Sequence, residues 1–269
     1  MVLKESLHEL TFASIHDAAV SVGVDHSTAA KAASNVMAGV AGGVLFSGRQ
    51  GAGKDTIAPA VLAACSIGNA MQCRVSDPIK DEMNTIIDVV TAAASPAQAA
   101  ALVAEAVDLR ADHAAALVQI LWSSTRTPAH GLTGRTRTAE IRLALQYHGH
   151  EARLETHPGY WVAACYRTLV PLLAQGHIVY LTDGRFPAEV ETARNLGLFT
   201  VRLSVSREVQ NERIRARDGH DPDPASLDHP GERILDDYDG FSLVVDNSGP
   251  MQPVVETVAD RFRAHLAAR

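Results

Sequence analysis

The chain has 269 residues, 24 Lys and Arg against 31 Asp and Glu, and a formal net charge of −7. At about 150 residues per domain this is one large domain or two small ones, and 46% hydrophobic with 20% charged residues excludes wholesale disorder. The acidic excess argues against a surface that coats nucleic acid, and no run of about 18 apolar residues offers a membrane span, so neither is an expected partner.

The opening MVLKESLHEL carries charges of both signs and no apolar signal core, so a cytoplasmic location is expected. Cys65, Cys73 and Cys165 lack metal-like spacing and read as buried thiols of a reducing compartment. Residues 1–42 read as a helical extension that ends in the breaker Ala41-Gly42-Gly43. Ser27 is an N-cap candidate for a helix from about residue 28. A DNA-reading helix pair is disfavoured there, because the segment lacks basic residues for phosphate contacts.

The remainder, 43–269, changes pattern. Val44–Ser47 is a short apolar strand, followed by a Gly-rich turn and the helix-like TIAPAVLAAC. Further short apolar runs occur at Cys73–Val75, His177–Thr182, Thr200–Val205 and Leu243–Val245. Strands alternating with helices imply an α/β fold: a parallel sheet of about five strands with helices on both faces. Between the second and third strands lies a long helical insert, 78–172, alanine-rich from Ala92 to Leu121, with Pro96 and Pro128 as internal boundaries.

The most informative segment is GRQGAGKDT, Gly48 to Thr56. Glycines at 48, 51 and 53 let the backbone curl so that N–H groups point inward at phosphate oxygens. The helix start adds a positive dipole end, and Lys54 can reach β- and γ-phosphates. Strand, loop and helix in this order identify a P-loop, with Gly48, Gly51, Ala52, Gly53, Lys54, Asp55 and Thr56 as the ATP-binding residues. The strict pattern wants Ser or Thr directly after the lysine, and here Asp55 stands there with Thr56 next. Thr56, Asp55 acting through water, and Asp183 are therefore the candidate Mg²⁺ residues.

The displaced threonine makes this loop resemble those of nucleoside monophosphate kinases, and its GKDT form resembles the deoxynucleoside monophosphate kinases of bacteriophages. Other segments carry the same resemblance in the same order. They are Ser76–Lys80; Leu145-Gln146-Tyr147-His148-Gly149-His150-Glu151 with Arg153 and Tyr160-Trp161-Val162; Thr182-Asp183-Gly184-Arg185-Phe186-Pro187-Ala188-Glu189; and Asp246-Asn247-Ser248-Gly249. His150 stands where that family has Thr, and His229-Pro230-Gly231-Glu232 departs from a family-like H-x-S-E. The resemblance implies a P-loop kinase with a helical acceptor-binding insert (78–172) and a lid region (207–235), acting as ATP + dNMP → ADP + dNDP with Mg²⁺.

Such a reaction needs arginines more than a base, because the acceptor phosphate oxygen is already ionised. Arg185 can clamp a phosphate in a bidentate fork, the plain alternative being an ion pair with Glu189 or Glu191. Arg213 and Arg217, four apart on one helix face, are phosphate ligands at the start of the lid, or else part of a solvated basic face. Asp183, at the end of a strand, can hold a magnesium-bound water or orient the acceptor, or simply cap the strand. In the insert, Lys80, Arg142, Gln146 and Arg153 are acceptor-site candidates, and Trp161 either stacks on the base or belongs to the core. His148, His150, His157, His220 and His229 complete no zinc set, and no nucleophile elbow supports a serine hydrolase. Two rival readings stand beside the kinase: another P-loop small-molecule kinase, of dephospho-coenzyme A or phosphomevalonate type, and a non-enzymatic nucleotide-sensing regulator. Base preference, ribose discrimination and homodimer formation stay open.

Overall fold

The computed structural model describes residues 11–123, 138–149, 151, 157, 159–222, 227–228 and 230–269. In chain order the elements are α1 (Phe12–Ser21), α2 (His26–Met37), β1 (Gly42–Ser47), α3 (Lys54–Ala64), β2 (Met71–Cys73), α4 (Asp77–Ala92), α5 (Pro96–Ala106), α6 (Ala111–Leu121), α7 (Ala139–Gly149), α8 (Tyr160–Ala174), β3 (Ile178–Gly184), α9 (Pro187–Asn195), β4 (Phe199–Ser204), α10 (Arg207–Asp218), α11 (Pro230–Arg233), β5 (Leu243–Asp246) and α12 (Met251–Ala267). They divide into two compact units, Met1–Val75 with Cys165–Arg269, and Ser76–Ala164. The second boundary falls inside α8.

The first unit holds a five-stranded, all-parallel sheet of order β2-β3-β1-β4-β5 with helices on both sides. β1 is buried at every position, which is why GGVLFS shows no alternation. On one face Val44 and Phe46 pack with Ile57 and Val61 of α3 and with Val258 and Phe262 of α12. Phe199 of β4 stacks on Phe262, ring centroids 6.1 Å apart. Gly42 and Gly43, expected to break the chain, lie inside β1 instead. A Cβ on Gly43 would stand 2.6 Å from the Val179 carbonyl oxygen, so glycine there serves close approach of β3 rather than a turn.

The N-terminal helices join this unit. The cap of α2 is Asp25 rather than Ser27: Asp25 has extended backbone, and its Oδ1 accepts the Thr28 N–H at 3.0 Å. Asn35 of α2 donates its Nδ2 to the Leu173 and Ala174 carbonyls at 3.0 and 2.9 Å, satisfying the end of α8. Arg167 of α8 donates to the Val22 carbonyl at 3.2 Å.

The second unit is a helical cluster, α4 to α7, with its own core of Met83, Ile86, Val90, Leu117, Leu121, Ile141 and Ala144. Pro96 opens α5 at its first turn, with Ser95 as cap, as a boundary proline should. Pro128 lies outside the described residues.

Candidate functional site

Because all five strands run parallel, their carboxyl ends share one edge of the sheet. Ligand crevices of open parallel sheets form along that edge. Here it carries the loop Gly48–Gly53 after β1, Arg185 after β3 and Asn247 after β5.

Glycine is required at two points of the loop. A Cβ on Gly48 would stand 2.6 Å from the Leu203 carbonyl oxygen, and Gly53, at φ 86°, takes the left-handed conformation that launches α3. The loop is tied down by Asn247, whose Nδ2 donates to the Ala52 carbonyl at 2.9 Å. Lys54 folds back over the turn, its Nζ 2.5 Å from the Gly48 carbonyl and 3.1 Å from that of Arg49. Burial lowers the Lys54 pKa to about 8, and the charge of Arg185 adds to the fall, while Glu232 and Asp55 oppose it. The result is a poorly solvated ammonium beside a second cation, an arrangement that an anion would relieve.

No protein-family model and no curated protein matches the chain.

Arginines and carboxylates interlock around the loop. Arg49 makes a two-point pair with Asp236, one arm at 3.1 Å. The same carboxylate accepts Arg202 Nη2 at 3.0 Å, and Arg202 Nη1 donates to Ser47 Oγ at 3.0 Å, which in turn donates to the Gly184 carbonyl at 2.8 Å. Burial alone would raise the Asp236 carboxyl, and Arg49 and Arg202 outweigh it, holding it below its ordinary value. Arg202, buried in β4, has its own pKa lowered by desolvation.

Arg185 pairs with neither Glu189 nor Glu191. Its Nη1 donates to Glu232 Oε1 at 2.7 Å, and Glu232 Oε2 accepts the Gln50 backbone N–H at 2.8 Å. Glu189 instead holds the turn that carries Arg185. Its Oε2 accepts the Arg185 and Phe186 N–H groups at 2.5 and 3.0 Å. Burial lifts the Glu189 pKa to about 7, against the pull of those two amides.

Arg213 lies on the loop, with Nη2 donating to the Asn247 carbonyl at 2.7 Å and Nη1 3.5 Å from that of Gly51. Arg217, expected on the same phosphate, is paired at both arms with Asp218 at 2.7 Å near the end of α10, because the helix stops there and its last aspartate is the nearest acceptor. Asp183 lies within β3 rather than ending it, and its Oδ1 accepts the Val75 N–H at 3.0 Å.

Asp55 and Thr56 are exposed on the first turn of α3. Thr182 Oγ1 donates to Asp55 Oδ1 at 2.6 Å, which fixes the carboxylate that stands in the Ser/Thr position. A carboxylate and a hydroxyl are hard oxygen donors, and the described residues contain no cluster of three or more His, Cys, Asp or Glu side chains suited to a metal. That donor set fits Mg²⁺, which takes one or two protein ligands and completes its octahedron with water and phosphate.

The acceptor candidates belong to the second unit. Lys80 Nζ is occupied on α4 by Ser76 Oγ at 2.8 Å and Asp77 Oδ1 at 2.9 Å. Arg142 and Gln146 are exposed on α7, whose opposite side buries Ile141, Ala144 and His148. Trp161 is a core residue: it is 4% exposed, and its Nε1 donates to the Gly149 carbonyl at 2.8 Å. It meets His148 and Tyr160 in edge contacts at 5.4 and 4.8 Å, so the packing leaves no open ring face for a base. Arg153, with His150 and His229, lies outside the described residues.

Sequence reasoning missed Arg49, Arg202, Glu232 and Asp236 as parts of the site. Arg202 left a signal, since an arginine inside the apolar strand FTVRLS needs a buried partner. The other three, Glu232 in the short α11 and Arg49 and Asp236 in loops, are ordinary charges until the fold joins them.

Proposed function

We propose that this chain is a P-loop phosphotransferase that moves the γ-phosphoryl group of ATP to a deoxynucleoside monophosphate, giving ADP and dNDP. The observation that carries the reading is the desolvated Lys54 folded over a glycine loop between a parallel strand and a helix start, with Arg185 and Arg213 at the same sheet edge. The phage-type kinase resemblance of the ordered motifs supplies the acceptor class.

In this reading the loop amides and Lys54 hold the β- and γ-phosphates. Arg213 offsets charge from the α10 side and Arg185 from the β3 side. An oxygen of the acceptor monophosphate attacks the γ-phosphorus, and the bond to the bridging oxygen of ADP breaks. That acceptor is ionised near neutral pH, so no protein base is invoked. Bound Mg²⁺ would neutralise phosphate charge, held by Thr56 and, through water, by Asp55. Asp183, whose carboxylate braces Val75, is better suited to orienting the strand end than to metal. Lys80, Arg142, Gln146 and Arg153 are the proposed acceptor-binding residues of the insert.

The test is ADP formation from ATP and Mg²⁺ over a panel of dNMPs, NMPs and dephospho-coenzyme A, with Lys54→Ala alongside. Turnover that depends on a dNMP and vanishes in the variant supports the proposal. Turnover only with dephospho-coenzyme A moves the chain to another small-molecule kinase. Tight ATP binding without acceptor-dependent turnover sinks the kinase and favours the nucleotide-sensing regulator.

A further inference from the structure

Glu232 has no role in the reading above, yet it joins two of its parts. We infer that Glu232 is a positioning residue, which pins the Arg185 guanidinium against the glycine loop so that Arg185 meets the transferring phosphoryl group in one orientation. The inference rests on the kinase reading only for the identity of the phosphate.

Three observations carry it. The Glu232 carboxylate is divided: Oε1 takes Arg185 Nη1 at 2.7 Å and Oε2 takes the Gln50 N–H at 2.8 Å, so one planar group links the β3 arginine to the loop. The two partners differ in freedom. The Arg185 side chain is 58% exposed, whereas that of Glu232 is 13% exposed. An arginine that exposed samples many rotamers unless something holds it.

The base under Glu232 is also fixed. Leu235 is 2% exposed, and Asp236, four residues on, is gripped by both Arg49 and Arg202. The segment from α11 to Asp236 thus sets two carboxylates on the loop, one locking its own arginine and the other presenting Arg185.

A carboxylate beside a phosphate loop can also act as a competing anion. The direction of Lys54 argues against that. A group standing in for phosphate would collect the lysine, but Lys54 Nζ is given to the Gly48 and Arg49 carbonyls.

The experiment is a double-mutant cycle on the whole chain: wild type, Glu232→Ala, Arg185→Ala and the double variant, with Glu232→Gln as the conservative replacement. For ADP formation, Glu232→Ala should lower kcat about 30-fold and leave KM for ATP within about threefold, while in the Arg185→Ala background it should cost less than about twofold. Glu232→Gln, which still accepts the Gln50 N–H, should recover part of the loss. Melting temperatures of all five proteins should agree within about 2 °C.

Calorimetric binding of tripolyphosphate, which needs no acceptor and no chemistry, completes the cycle. There Glu232→Ala should weaken binding about tenfold when Arg185 is present and less than about twofold when it is absent. Equal losses in both backgrounds, a drop in melting temperature that accounts for the loss, or tighter tripolyphosphate binding in Glu232→Ala would each overturn the inference. If wild type forms no ADP with any acceptor, the kinase reading fails while the tripolyphosphate cycle still decides the role of Glu232. A wild-type chain that binds no tripolyphosphate removes both.

Discussion

The strand-end edge of the sheet and the helical insert contain comparable sets of candidate residues, but they use them differently. At the edge, Lys54, Arg49, Arg185, Arg202 and Arg213 each have a partner in fixed geometry: Lys54 and Arg213 meet backbone carbonyls, and the carboxylates that hold Arg49, Arg185 and Arg202, those of Glu232 and Asp236, come from one short segment. On α7 of the insert, Arg142 and Gln146 stand exposed above a core that does not involve them. Charges that must meet a triply charged group are preorganised before it arrives, since reorganisation during the reaction would cost rate. Exposed side chains on a helix commit to nothing until a ligand selects them.

This contrast can be broken most sharply at Lys54. Lys54→Met should abolish ADP formation by about 10³-fold or more in a coupled assay. The same variant should melt higher than wild type at pH 7. The folded pKa of about 8 lies below the ordinary 10.5, so stability rises with pH between those values and the penalty is fully present below pH 8. A fall in melting temperature would contradict the desolvated ammonium.

The insert should respond through packing instead. Leu117→Ala removes a fully buried side chain and should cost about 3 kcal/mol in urea unfolding, a loss typical of cavity formation. The arginines of α10 sharpen the comparison within the edge itself. Arg213→Ala should lower kcat about 30-fold, whereas Arg217→Ala, whose group is spent on Asp218, should stay within about threefold.

ATP affinity should fall by up to about tenfold per pH unit above pH 8 as Lys54 loses its proton, a dependence absent from Lys54→Met. The smallest effect belongs to Trp161→Phe. It should leave acceptor KM within about twofold and cost about 1 kcal/mol of stability, the worth of one hydrogen bond to Gly149. A large rise in acceptor KM would restore Trp161 to the base site.

Much of the parallel sheet was legible because its strands are short apolar runs separated by helical spacing. The glycine turn between β1 and α3 was legible because its glycines fall in one continuous segment between an apolar strand and a helix start. Gly42 and Gly43 misled, since a glycine that permits close packing and one that makes a turn are written alike. The pairings of Glu232 and Asp236 were illegible for a different reason: each meets a loop some 180 residues earlier in the chain, and no local pattern, the H-x-S-E-like segment at Glu232 included, encodes such a pairing. Trp161 shows the remaining ambiguity, because an aromatic that fills a core and one that stacks on a base have the same composition signal.

The Asn35 amide that closes the two last carbonyls of α8 bears on how the chain can be shortened. Cutting before β1 would look harmless on a motif map, since every segment proposed to bind phosphate lies downstream. It would strip α8 of the Asn35 clasp at the end that leads into β3, leaving the Ala174 carbonyl without that donor while the Leu173 carbonyl keeps only the Gly176 N–H. Beginning the polypeptide at Gly42 should therefore yield a sticky, protease-sensitive product, whereas a start upstream of Thr11 keeps the clasp. A loss of turnover after such a trim would report damage to the scaffold, not a regulatory message carried by the first two helices.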